Sequence, residues 1–163
     1  MNYHFAIGLI LVLSLSVSAE ENKLPSVNVG AEIAALARAS EGKVFGRGEC
    51  WDFAAELLDR TNCDWNRPFA FGQLIDPKTS ALQPGDILQF ESVKIEWKRE
   101  GRYGTILLGF PSHTAIVLSA AGSVVEIAHQ NYNRTRKVSR LSFDLKDVTA
   151  GKWRAFRPVK KAN

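Results

Sequence analysis

Gly46-Arg47-Gly48-Glu49-Cys50-Trp51-Asp52-Phe53-Ala54-Ala55-Glu56-Leu57-Leu58 is the stretch on which the reading of this chain turns. Two glycines lead into apolar residues at Trp51, Phe53, Ala54, Leu57 and Leu58, a spacing that places them on one face of a helix. Cys50 then falls in the first helical turn. Free backbone N–H groups and the positive end of the helix dipole favour a thiolate there, and a thiolate is the form that attacks carbonyl carbon. Two plainer readings stand beside this activated nucleophile: a buried inert thiol, and a disulfide to Cys63, the other of the chain's 2 cysteines. A helix reaching about Arg60 would hold the two cysteines roughly 15–20 Å apart. A bridge tolerates Cα atoms only within about 7 Å, so pairing would require the helix to break early.

Upstream of this stretch, residues 1–19 read as a secretory signal. An apolar core from Ala6 to Val17 ends in Val17-Ser18-Ala19, a small-residue cleavage pattern, and charge begins at Glu20-Glu21. The core is too short to span a bilayer comfortably. The segment before it carries no Lys or Arg, which leaves retention as an anchor open. With cleavage, the expectation is a secreted or periplasmic protein with no stable membrane span. About 144 residues then remain, enough for one core. Residues 20–30 contain Pro25 among polar groups and read as a flexible lead-in, followed by a single domain over 31–163.

The balance of 21 basic against 17 acidic residues is mild, at +4. Apart from Arg134, Arg136, Lys137, Arg140 and the Lys160-Lys161 tail, the positive charge is dispersed. It lacks the aromatic interleaving of a nucleic-acid surface, so no nucleic-acid partner is expected, and the cluster reads as a solvated face. No metal-spaced Cys/His set occurs, and no metal or organic cofactor is implied. Oligomeric state is not legible.

Residues 31–40 are strong helix formers and end near Gly42, which predicts a short helix before the one at Cys50. Residues 61–84, rich in Asn, Pro and Gly, read as a long irregular connection placed to wall a cleft. From Asp86 the period changes to two. A Pro84-Gly85-Asp86 turn precedes strand-like residues 87–90; 94–98 and 103–110 form a hairpin around Glu100-Gly101; further strands follow over 112–119, 123–131, 137–144 and 153–159. Helices first and short strands afterwards predict an α+β domain, its N-terminal helices packed on an antiparallel sheet or small open barrel.

Beyond residue 19 the histidines are His113 and His129, in adjacent predicted strands. A three-residue loop at Ala120-Ala121-Gly122 sets His113 opposite His129, with Asn131 one step along the same face. That geometry suits nucleophilic catalysis. Cys50 would supply the sulfur, His113 would take its proton, and His129 or Asn131 would accept a hydrogen bond from the other imidazole nitrogen. The Cys50 backbone N–H would contribute to an oxyanion hole.

The order Gly-Glu-Cys50-Trp-Asp-Phe-Ala, then Leu82-Gln83-Pro84-Gly85-Asp86-Ile87-Leu88-Gln89-Phe90, then Ser112-His113-Thr114-Ala115-Ile116-Val117, then His129-Gln130-Asn131-Tyr132-Asn133 resembles the CHAP domain, the cysteine, histidine-dependent amidohydrolase/peptidase family, and its NlpC-like relatives. The resemblance implies a compact papain-like fold with Cys50 as nucleophile and His113 as base. It also implies a peptide substrate, most often in bacterial peptidoglycan. His129 stands where CHAP domains usually have glutamate, and histidine is frequent there in NlpC-like enzymes. Glu49 stands where CHAP domains often have glutamine, and its carboxylate opposes thiolate formation. Papain-type proteases share the cysteine segment but separate cysteine and histidine by ~130 residues, far more than here.

The expected function is an exported cysteine hydrolase that cuts an amide through a Cys50 thioester, with Trp51, Trp65, Phe69 and Glu49 beside the substrate. The alternative is a catalytically silent module that binds an envelope polymer or a partner protein.

Overall fold

The computed structural model describes residues 28–66 and 69–162. The expected signal over residues 1–19 lies outside the described residues, as does the lead-in up to residue 27.

Asn28 caps the first helix, α1 (Val29–Arg38), through its side chain, which accepts from the Gly30 N–H at 3.0 Å. The helix thus begins two residues before the expected boundary at 31, because asparagine satisfies a first-turn donor there. The second helix, α2 (Cys50–Arg60), starts at Cys50 itself. Asp52, three residues into it, turns its carboxylate back to accept from the N–H groups of Arg47 at 2.7 Å and Glu49 at 3.3 Å. Its Phe53, Ala54, Leu57 and Leu58 are buried, so the predicted apolar face is the packed face.

After α2 the chain lays down β1 (Cys63–Asp64), β2 (Gln73–Ile75), β3 (Ile87–Arg99), β4 (Arg102–Ala121), β5 (Val124–His129), β6 (Ser139–Asp144), a 3-10 turn (Leu145–Asp147), β7 (Val148–Arg157) and β8 (Val159–Lys160). Six strands form one antiparallel sheet in the order β2-β7-β3-β4-β5-β6, and β1 pairs with β8. Alternation along β3 sends Ile87 to the helix side and Leu88 and Phe90 to the other. On the helix side Ile33, Phe53 and Leu57 pack against Ile87, Ile116, Leu118 and Ala128. On the far side Phe90 of β3 meets Phe143 of β6 edge-on at 6.2 Å, across two intervening strands. Contact over that span requires the sheet to curl, so the expected α+β domain is helices packed on one curved antiparallel sheet.

The β3–β4 hairpin turns at Glu100-Gly101 as predicted. Its pairing slips at one level. Val93 faces Leu108 and Glu91 faces Ser112, so Gly109, Phe110 and Pro111 stand against Ser92 alone. The β3–β7 register shifts at the same level. Gly109 anchors this bulge: its φ is +74°, and a Cβ there would lie 2.5 Å from the Phe90 carbonyl oxygen.

The β4–β5 turn differs from the expected register. Ala121 pairs with Val124 around Gly122-Ser123, with Gly122 at φ +60°, and an extra residue at Leu118 shifts the register again. His129 therefore pairs with Ala115, not His113. Glycine takes the first turn position, where a positive φ costs least, and the bulge supplies the remaining offset.

Gly109→Ala is expected to cost about 1–3 kcal/mol of stability, from left-handed strain and backbone overlap. Denaturant midpoints of the two proteins measure this, and an unchanged midpoint would contradict the bulge geometry.

Candidate active site

Cys50 stands half-buried at the first position of α2. Ser112 and His113 come from β4, and Asn131, Tyr132 and Asn133 from the segment leaving β5. These residues, with Glu49, Thr105, Leu107, Gly109 and Phe110, line one cleft of ≈ 530 Å³.

His113 and His129 touch although they are not cross-strand partners. His129 is diagonal to His113 on the same face, and the rings bridge the gap: His113 Nε2 lies 3.0 Å from His129 Nδ1, with the ring planes at 81°. His129 is fully buried and stacks on Tyr132 at 4.6 Å. Its other nitrogen, Nε2, is buried with no protein partner. The shared proton has two placements. Donation from His113 leaves its Nδ1 free as a base and leaves His129 with an orphaned N–H. Donation from His129 leaves only an orphaned acceptor, the cheaper defect, but puts the proton on His113 Nδ1.

Burial pushes His113 down to about 4. It pushes His129 to about 3, with the neighbouring His113 adding to the shift. Both imidazoles are neutral at pH 7. Cys50 moves the other way. Burial raises its thiol above the ordinary range and Glu49's charge adds to that, outweighing hydrogen bonds from the Thr114 and Trp51 backbone and from the Thr114 side chain. The expected thiolate is corrected on this point: desolvation at the half-buried helix start exceeds the pull of the helix N-terminus. Both cysteines are free, so the Cys50–Cys63 bridge is absent; Cys63 is buried beside Thr61 Oγ1 at 3.2 Å.

Asn131 does not orient His113. Its Nδ2 donates to Glu49 Oε2 at 2.6 Å, and Arg136 Nη1 donates to Glu49 Oε1 at 3.0 Å. The basic cluster read as a solvated face is thus partly engaged, with Arg140 also pairing to Glu41 at 2.7 Å. Neither Trp51 nor Trp65 lines the cleft. They pack on each other at 5.7 Å and against the helix-side core, and Trp65 Nε1 donates to Asp59 Oδ1. Apolar ring area so close to Phe71 is drawn into the core, with Trp65 stacked on that ring at 6.1 Å. Phe69 is exposed but also outside the cleft. No described residue of the 61–84 connection lines it either; the β3–β4 hairpin takes that place.

Gln130 was not singled out from the sequence. Fully buried, it accepts from the Phe45 N–H at 2.8 Å and donates to the carbonyls of Phe45 at 3.0 Å and Glu49 at 2.8 Å. Its only sequence signal is its place between His129 and Asn131, where alternation turns it to the helix side. Among the described residues no group of three or more His, Cys, Asp or Glu could hold a metal ion, and no helix is long and apolar enough to cross a membrane.

The family model of the AIM3/BBC1 cysteine proteinase-fold domain matches residues 18–163. The chain belongs to this family. The family carries the papain-like cysteine proteinase fold, which agrees with the α+β architecture described above; the CHAP and NlpC assignments are finer than that. Among AIM3/BBC1 relatives, Altered inheritance of mitochondria protein 3 of Debaryomyces hansenii is 28% identical over 164 residues, a match covering 85% of this chain and 18% of the relative. The chain thus spans less than a fifth of that protein's length. Two solved structures of Ly7917 are also similar. The one titled as holding the hydrolyzing product of MDP has a TM-score of 0.47 and 16% identity over 79% of this chain and 62% of its own. The other has a TM-score of 0.44 and 17% identity over 80% and 62%.

Because the Cys50 thiol is raised, iodoacetamide should label it slowly at pH 6–7 and accelerate only as pH climbs past the usual thiol range of about 8.5. Glu49→Gln removes the opposing charge and should move the profile to lower pH. Labelling rates by peptide mass spectrometry test both; a fast plateau already reached at pH 6 contradicts the assignment.

Proposed function

We propose that this domain is a thiol hydrolase that cleaves an amide through a Cys50 thioester. One observation carries the reading: a cysteine at a helix start shares a cleft with a histidine whose Nε2 lies 3.0 Å from a second histidine. In the tautomer this role requires, His113 Nε2–H donates to His129 Nδ1 and His113 Nδ1 is the base. As Cys50 Sγ bonds the carbonyl carbon, its proton passes to His113. His113 returns that proton to the leaving nitrogen when the C–N bond breaks, leaving the thioester. Water, deprotonated by His113, then attacks the thioester and releases the acid and the thiol. A raised thiol and a neutral imidazole mean that proton transfer accompanies attack, with no standing ion pair. The Cys50 N–H, at the first position of α2, is the source of an oxyanion donor.

The substrate class in this proposal is a peptide amide. Peptidoglycan is the version supported by the CHAP-like order of motifs. The apolar run ending at Ala19 supports export to a secreted or periplasmic location; N-terminal sequencing of protein recovered outside the cell should read Glu20 first, and an intact Met1 would sink this part.

A second reading, a silent module that binds an envelope polymer or a partner protein, is favoured by the Glu49 carboxylate beside a thiol that burial already raises. Release of soluble fragments from sacculi and cleavage of uncharged peptides separate the two. Wild type should turn over, whereas Cys50→Ser and His113→Ala should lose at least ~100-fold while still folding cooperatively, with a lower thermal midpoint only for His113→Ala, which strands His129. Retained hydrolysis in either variant rejects the mechanism. Sacculus binding without release, undiminished in Cys50→Ala, supports the silent module.

A further inference from the structure

Two large apolar side chains of β4 stand open to solvent in the wall of the cleft: Leu107 at 50% exposure and Phe110 at 62%. Leu107 faces outward by alternation with Leu108, and the exposure of Phe110 has a further backbone cause. In an uninterrupted strand Phe110 would share a face with the buried Leu108. The Gly109-Phe110-Pro111 bulge breaks that alternation and leaves Phe110 outside the core, three residues before His113. The distortion is built across neighbouring strands. Ser92 opposite has φ +50°, and Gly151 of β7, at φ +85°, lies so close to the Ser92 carbonyl that a side chain would overlap it. Backbone strain of this kind persists only where the surroundings enforce it, and bulges beside clefts re-aim side chains.

The rest of the lining defines what fits. No Lys or Arg lines the cleft, and its one acidic group is Glu49. An acidic side chain entering there would meet the Glu49 carboxylate, and the nearby Arg136, which lies outside the lining, is already paired to that carboxylate at 3.0 Å. An aliphatic or aromatic side chain would cover exposed area on Leu107 and Phe110.

We infer that Leu107 and Phe110 form an apolar subsite that selects peptides carrying an uncharged aliphatic or aromatic side chain next to the amide presented to Cys50. The inference rests on the hydrolase reading for its consequence, not for its binding step. Binding to the full-length Cys50→Ala protein therefore tests it, followed by backbone amide shifts. The probes are N-acetylated, C-amidated Gly-Phe-Gly and Gly-Glu-Gly.

The Phe peptide should shift the Gly109 and Ser112 amides and bind roughly tenfold or more tighter than the Glu peptide. Phe110→Ala in the same background should abolish the preference, and Phe110→Leu should restore it. Equal affinities, shifts confined to other surfaces, or a preference that survives Phe110→Ala would overturn the subsite. Cleavage of both peptides by wild type, measured alongside, keeps the two ideas apart. Selective binding without cleavage of these peptides or release of fragments from sacculi upholds the subsite and sinks the hydrolase reading; cleavage without selectivity does the reverse.

Discussion

A single buried amide joins the two halves of the site. Gln130 closes a two-way pair with the backbone of Phe45 and donates to the Glu49 carbonyl, the group one residue before Cys50. The approach to α2 is otherwise a short loop through Gly46 and Gly48 with little side-chain bulk to position it. Fixing that loop to β5 fixes Cys50 relative to the strand that carries His129, and through the ring contact relative to His113. A fully buried glutamine satisfied on both ends has few alternative arrangements, because breaking any of its bonds strands a polar group away from water.

Electrostatically, the site is quiet at rest. Burial holds both histidines neutral and keeps the thiol protonated, so Cys50, His113 and His129 carry no charge at neutral pH. The Glu49 charge that acts on Cys50 is tied to Asn131 and Arg136. A carboxylate so engaged fixes the cleft rim as well as opposing the thiolate. The neutral arrangement also explains how two buried imidazoles coexist 3.0 Å apart, since two charged rings there would repel in a poorly screened environment.

Backbone irregularities decide which side chains see the cleft. The level of Ser92, Gly109 and Gly151 is distorted on three adjacent strands. The bulge resets the alternation of β4, so that Leu108 and His113, five residues apart, both take the face of Phe90 and Val93. The same reset leaves Phe110 outside. A second offset at Leu118 then brings His129 diagonal to His113. Two bulges on one long strand therefore assemble the histidine pair and the apolar wall together.

Much of this architecture follows from local pattern in the chain. The apolar face of α2, the change to period two after Asp86 and the hairpin at Glu100-Gly101 each follow from short-range propensity or turn chemistry, and so do Cys50 at a helix start and the histidines on neighbouring strands. What lay beyond the sequence was everything set by register and burial. A bulge inserts one unpaired residue and inverts every later face, yet its only local sign is a glycine such as Gly109. The fate of Trp51 and Trp65, the partner of Asn131, the clamp of Gln130 and the direction of the Cys50 shift all depend on what lies across space. Desolvation and hydrogen bonding act over a few ångströms between residues far apart in the chain, 85 positions in the case of Phe45 and Gln130, and only the folded chain brings those atoms together.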